Sequence, residues 1–299
     1  MTDKQPSFGF VDLSLLGLVV VWGANFAVVK SALSEMTPLA FNALRFTGAS
    51  VVTLGLTWAV RRDLHILRRD WGRLLVLGFF SNFVYQYLFI NGIARTRASN
   101  SSLILATVPI FVALIGTILR SEKLHSRNWA GIVLSFVGIF LLVAGGGVGI
   151  AMGSQTLSGD VLVLCATALW AIHTTLSKGL MERNSVLKVT AWMMASNAPL
   201  MVLAAVPELR TQDWHAVSAQ SWLGLLYSAV LAIGIGYVIW NTGVRRLGSA
   251  RTAIYSYLTP LVSVIVSWIL LGETMQPLQA LGAVGILLGV ALGRYRPES

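Results

Sequence analysis

Carboxylates are scarce in this chain: 12 Asp and Glu among 299 residues, none deep within an apolar run. That scarcity leaves a carboxylate proton relay across a membrane weakly supported, and it supplies no buried acid–base pair for catalysis. Cysteine is scarcer still. Cys165 stands alone, which excludes an intrachain disulfide and a cysteine-based metal cluster. The chain has no His-Glu-x-x-His, no Gly-x-Ser-x-Gly and no Walker-type phosphate loop. A zinc hydrolase, a serine hydrolase and an ATP-driven pump thereby lose their sequence signatures. The expectation is a protein that is not an enzyme and holds no cofactor or metal.

Charge of either sign is thin, at 11% of residues against roughly a quarter in a soluble domain. Apolar residues make up 56%, and mean hydropathy is +0.73. Water is not the main solvent of such a chain. Apolar runs of about 19 to 24 residues fall near 11–33, 38–60, 73–94, 99–119, 128–146, 159–181, 186–206, 220–243, 249–271 and 276–294. The predicted fold is all-α and integral to the membrane, with ten spans and no connector long enough for a soluble domain. Lys4 precedes the first run as in a signal peptide, but that run carries a motif repeated later and reads as an uncleaved helix.

Net charge +10 raises the question of nucleic acid, and the positions of the basic residues answer it. They sit between apolar runs rather than along one amphipathic face. With the N-terminus in the cytoplasm, 16 Lys and Arg fall in inner loops and flanks, against Arg95, Arg97 and Arg210 outside. The positive-inside rule then predicts both termini in the cytoplasm of a bacterial inner membrane, with lipid and a small solute as partners and no nucleic acid.

The second half of the chain repeats the first. At an offset of 151, Pro109 falls on Pro260, Glu122 on Glu273, Gly131 on Gly282 and Gly138 on Gly289. Trp71, Gly92 and Arg95 likewise fall on Trp222, Gly243 and Arg246. At an offset of 148, Asp12, Trp22 and Lys30 fall on Asp160, Trp170 and Lys178. Residues 1–146 and 159–299 therefore read as two five-helix repeats joined by an outer connector at 147–158. An odd helix number inverts the second copy, which is the plan from which many secondary transporters derive alternating access.

Trp22-Gly23-Ala24-Asn25-Phe26 with Lys30, Arg45-Phe46, Pro109 through Glu122 with Gly131, and Pro260 through Glu273 with Gly282 carry a family likeness. In these residues the chain resembles the drug/metabolite transporter superfamily, and within it the ten-helix EamA-type exporters. The likeness runs from about residue 12 to residue 293. It implies export of amino acids, aromatic ones among them, or of similar metabolites, with helices 4, 5, 9 and 10 closing one end of the bundle. A drug exporter of the same superfamily, a channel and a membrane-embedded partner protein are the alternatives. The repeat departs from itself at Asn25, whose counterpart is His173, and at Arg45, whose counterpart is Met193.

Polar side chains in hydrocarbon are costly unless they face the bundle interior or water, so their helical phase is informative. Trp22 and Asn25 share a face of helix 1, and Trp170, His173 and Thr174 the matching face of helix 6. Asn82, Tyr85 and Gln86 align with Phe89 on helix 3, and Tyr237 and Asn241 on helix 8. These ten positions, leaving aside Phe89, are the candidate substrate-binding set. For each amide or hydroxyl a second role fits equally, as a hydrogen bond between helices worth roughly 0.6 to 2 kcal/mol. His173 suits either proton sensing or a neutral hydrogen bond. Arg45 suits either a carboxylate ligand or an anchor snorkelling to the outer surface.

Overall fold

The computed structural model describes residues 9–96, 101, 104–119, 125–145, 154–262 and 277–293. Among these residues every regular element is helical. In chain order they are α1 (Phe10–Ala32), α2 (Pro38–Arg61), α3 (Arg68–Arg95), α4 (Val108–Ile118), α5 (Ser126–Gly145), α6 (Leu157–Arg183), α7 (Val186–Thr211), α8 (Ala219–Leu247), α9 (Ser249–Ile254) and α10 (Pro277–Gly293). Six of them, α1–α3 and α6–α8, are long and apolar enough to cross a membrane, while α4, α5 and α10 are shorter apolar helices. The ninth apolar run is described only as far as residue 262, and its remainder lies outside the described residues, as does the connector at 147–153.

Local chemistry sets the helix ends. Pro38 opens α2, where its missing N–H costs nothing. Arg62 ends it in the left-handed region at φ 52°, and Gly248 at φ 91° turns the chain between α8 and α9. Within the helices, the hydroxyls of Ser50, Thr53, Thr57 and Thr167 donate to the carbonyl four residues back, which satisfies them without a partner helix. The outer surface is apolar: Val20, Val51, Val76, Leu203, Leu223 and Leu288 are each more than half exposed. Water would not tolerate so broad an apolar surface, and lipid favours it.

α3 and α8 are not plain α-helices. Phe79–Val84 and Ser228–Ile235 are π-helical, and adding 151 to the first segment gives 230–235, inside the second. The packing of α5 on α10 follows the same arithmetic. A Cβ placed on Gly131 would lie 2.3 Å from the Gly293 nitrogen and 2.6 Å from the Gly289 oxygen. One placed on Gly282 would lie 2.5 Å from both the Gly138 oxygen and the Leu142 nitrogen. Shifting the first set by 151 in either direction reproduces the second. Gly138 against Gly282 and Ile286, and Gly289 against Gly131 and Ser135, form another such pair. Contacts that exchange under one shift are those of an isologous interface.

Polar ties hold the ends of the helices. Arg183 pairs with Asp70 at 2.6 Å, Asn184 Nδ2 donates to the same carboxylate at 2.7 Å, and Lys188 pairs with Asp63. At the other end Glu208 accepts from the Leu39 N–H at 2.8 Å, and Gln212 accepts from the Thr37 N–H at 2.8 Å. These two side chains serve the orphan donors at the start of α2. Glu35, between α1 and α2, accepts from the Ser218 N–H at 2.8 Å, and that bond, with the hydroxyls of Ser221 and Ser218, holds its carboxyl below the ordinary range.

Candidate functional site

A cavity of about 100 Å³ lies where α1, α2, α3, α6, α8 and the segment after α9 converge. Trp170 is its hub. Its ring stacks on Tyr85 at 5.2 Å and on His173 at 5.0 Å, tilts against Tyr237 at 4.8 Å and meets Trp22 edge-on at 6.1 Å. Phe26 and Phe89 extend the aromatic wall, Ile233 and Leu105 add aliphatic surface, and Ser256, Thr259 and Pro260 close one side. Such walls with a few convergent polar groups are typical of small-molecule sites.

Two of these contacts join residues to their own counterparts. Gln86 Nε2 donates to the Tyr237 hydroxyl at 2.7 Å, across 151 residues, and Trp22 meets Trp170 across 148. Both pairs lie on the cavity wall.

The ten candidate residues divide into two groups. Trp22, Asn25, Tyr85, Gln86, Trp170 and Tyr237 line the cavity. Asn82, His173, Thr174 and Asn241 stand behind it. His173 shares a 3.1 Å hydrogen bond with Asn241 Oδ1, Asn241 Nδ2 donates to the Thr190 hydroxyl at 2.9 Å, and Trp240 Nε1 donates to Thr174 at 3.1 Å. Asn82 is buried inside the π segment of α3 with Ser81 beside it at 3.5 Å. Trp22 is anchored by donating Nε1–H to the Ala232 carbonyl at 2.9 Å.

Arg45 does not snorkel. It is 1% exposed and lines the cavity, packed under α8 and α3. Its Nε donates to Asn42 Oδ1 at 2.9 Å, Nη1 to the Ser228 hydroxyl at 3.2 Å and Nη2 to Gln86 Oε1 at 2.8 Å, with Phe41 5.3 Å beneath the guanidinium. Every one of these partners is neutral. The Gln86 amide is fixed by this arrangement: its oxygen faces a donor-only guanidinium, and its nitrogen faces Tyr237. Nearby, Asn25 Oδ1 is buried without a hydrogen-bond partner. The sequence named Arg45 yet could not fix its depth, because seven residues from a helix start permits both a snorkelled and a buried side chain. Ser256 and Thr259 were not singled out at all; their one signal is the repeated proline, Pro109 and Pro260, beside them. No group of three or more potential metal ligands exists among the described residues.

The long apolar helices and the lipid-compatible surface define a polytopic membrane protein, with an aromatic cavity among its helices. The model of the EamA-like transporter family matches residues 9–144 and 157–294, so the chain belongs to that family. A probable amino-acid metabolite efflux pump of Salmonella typhimurium and one of Escherichia coli are each 31% identical over 292 residues, covering 95% of this chain and 94% of theirs. An uncharacterized transporter of Bacillus subtilis is 24% identical, covering 94% of this chain and 92% of its own. A known crystal structure superposes with a TM-score of 0.80 at 18% identity over 94% of this chain and 95% of that one, which supports the fold. The protein is a membrane transporter, not an enzyme.

Proposed function

We propose that this transporter is a secondary exporter of amino acids, aromatic ones among them, or of related small metabolites across a bacterial inner membrane. Two inverted five-helix repeats, residues 1–146 and 159–299 joined at 147–158, alternate around the central cavity, and both termini lie in the cytoplasm. The observation that carries this reading is the cavity itself: its wall is built from residues that meet their own repeat counterparts, Gln86 with Tyr237 and Trp22 with Trp170. A site on the axis between two repeats is reached from one face when one repeat opens and from the other when its counterpart does. The exchanging α5–α10 contacts, the paired π segments and the two stretches matched by the family model support the same plan. The relatives' description as amino-acid metabolite efflux pumps supports the substrate class.

The test is counterflow in proteoliposomes. Labelled solute should accumulate against preloaded unlabelled solute without ATP, across a panel of amino acids, their metabolites and cationic drugs. A strict requirement for ATP, or free leakage of unrelated solutes as through a pore, sinks the reading. Orientation is tested separately, in a Cys165→Ala background. A cysteine at the exposed His215 should react with an impermeant thiol reagent applied to whole cells, and one at Leu67 should not. The reverse pattern inverts the topology and leaves the carrier untouched.

A further inference from the structure

Arg45 is a cation sealed inside a membrane protein with no acid beside it among the described residues. Among the described residues that line the cavity there is no Asp or Glu, and the guanidinium's partners are an asparagine, a serine and a glutamine. An unpaired charge in such surroundings is held at a cost of several kcal/mol. Ordinary structural roles do not require it: the repeat counterpart of Arg45 is Met193, which is equally buried. The same packing position is therefore filled by an apolar side chain in the other half.

Five N–H groups radiate from a guanidinium, and three are used. Each terminal nitrogen keeps one. Tyr237 accepts from Gln86 and retains its own O–H to donate. Donors thus converge at one end of the cavity while aromatic faces cover the rest. A zwitterion would leave its ammonium with no carboxylate on the described wall, and a cation would add a second positive charge in low dielectric. A monoanion makes the loaded cavity neutral.

Resting on the metabolite arm of the carrier reading above rather than on free amino acids, we infer that Arg45 seats a carboxylate and that the cavity takes a monoanion with an apolar, ring-sized body in preference to a zwitterion or a cation. Asn25 Oδ1, unpartnered at the wall, then accepts from a hydroxyl or amide N–H on the same molecule.

The test is calorimetric titration of the purified full chain in detergent with four probes of one skeleton: 3-phenylpropanoate, 3-phenylpropanamide, 2-phenylethylamine and phenylalanine. The acid should bind at least about tenfold more tightly than the other three, as expected for charge-assisted hydrogen bonds. Arg45→Gln should bring acid and amide together, and Arg45→Lys should keep a reduced preference for the acid. Should Arg45→Gln fail to fold, the acid–amide comparison on the parent still decides. An amide that matches the acid within about twofold, phenylalanine outcompeting the acid, or no acid binding at all overturns the inference. Counterflow of phenylalanine that the acid does not inhibit overturns it too, and leaves the carrier standing. Saturable acid binding without exchange of any solute does the reverse.

Discussion

The two segments that match the family model use equivalent positions for different work. On the first, Arg45, Asn25 and Gln86 present donors and an acceptor to the cavity. On the second, the counterparts of Arg45 and Asn25 are Met193 and His173, and the polar groups there are engaged with one another, His173 with Asn241 and Asn241 with Thr190. Asn241 itself corresponds to Ile90. The bond that Asn241 makes to His173 Nε2 therefore has no equivalent for Asn25, although His173 Nδ1, like Asn25 Oδ1, is buried without a partner. The backbone contacts of α5 and α10 exchange under the 151-residue shift, whereas the polar groups at the cavity do not.

The largest effects should come where those backbone contacts are tightest. Gly131→Ala and Gly282→Ala each place a methyl against backbone, and overpacking of this kind costs about 1–3 kcal/mol or more. Both should sharply lower the yield of folded protein, and by similar amounts, measured by size-exclusion recovery and thermal melting. A large loss for one and none for the other breaks the two-fold description of the α5–α10 seam.

Next come the aromatics. Trp170→Ala, Tyr85→Ala and Tyr237→Ala should each weaken apparent affinity in concentration-dependent uptake by several-fold or more, since an aromatic contact contributes about 0.5–1.5 kcal/mol beyond its area. Leu288→Ala, on the lipid-facing surface, should behave as the parent. Uptake unchanged in all three aromatic variants removes the cavity from the transport path.

A finer contrast sets Asn25 against Asn241. Asn25→Leu should change affinity or selectivity with little change in melting temperature. Asn241→Leu should lower the melting temperature, because it strands His173 and Thr190, while affinity stays within about twofold. Exchanged outcomes would move the ligand to the second segment.

The smallest effect is a pH effect. Glu35 and Asp63 are both held below the ordinary carboxylate range, Glu35 chiefly by the Ser218 N–H and Asp63 chiefly by Lys188. A depressed folded-state pKa contributes stability that is present above the unfolded value, near 4, and is lost as pH falls through the folded one. Thermal melts should therefore decline slightly below about pH 4, and Glu35→Gln should flatten part of that decline. Asp63 is exposed and Glu35 half-buried at the surface, so solvent keeps the effect small.

Six of the ten expected spans, the lipid surface and the aromatic lining of the cavity were legible because hydropathy and side-chain type survive any detail of packing. Which polar residues reach the cavity was legible only in part, and the π segments explain why. A helical face read at 3.6 residues per turn runs true until an extra residue enters the turn, after which it is rotated by about 100°. Asn82 lies inside such a segment and Tyr85 and Gln86 beyond it, so a face that joined all three by spacing is split. On α8 the same interruption separates Tyr227, whose hydroxyl donates to the Val21 carbonyl, from Tyr237 on the wall. Nothing in residue type announced either segment. His173 and Thr174 lie off the cavity wall for a different reason: Asn241 stands against His173 Nε2 and Trp240 against the Thr174 hydroxyl, while His173 Nδ1 keeps no hydrogen-bond partner.

The seam of α5 and α10 bears on how this protein can change over generations. Where Gly131, Gly138, Gly282 and Gly289 meet, main chain lies on main chain, and the Ser135 hydroxyl against Gly289 is the one side chain among their nearest contacts. Compensation, the usual route by which one substitution is rescued by a second, has little to act on there. The cavity wall is the opposite case, built wholly from exchangeable side chains. The cavity can therefore be rewritten at less cost to the fold than the seam, so a saturation-mutagenesis map read on folded yield should show those four glycines as columns of intolerance beside a more permissive cavity.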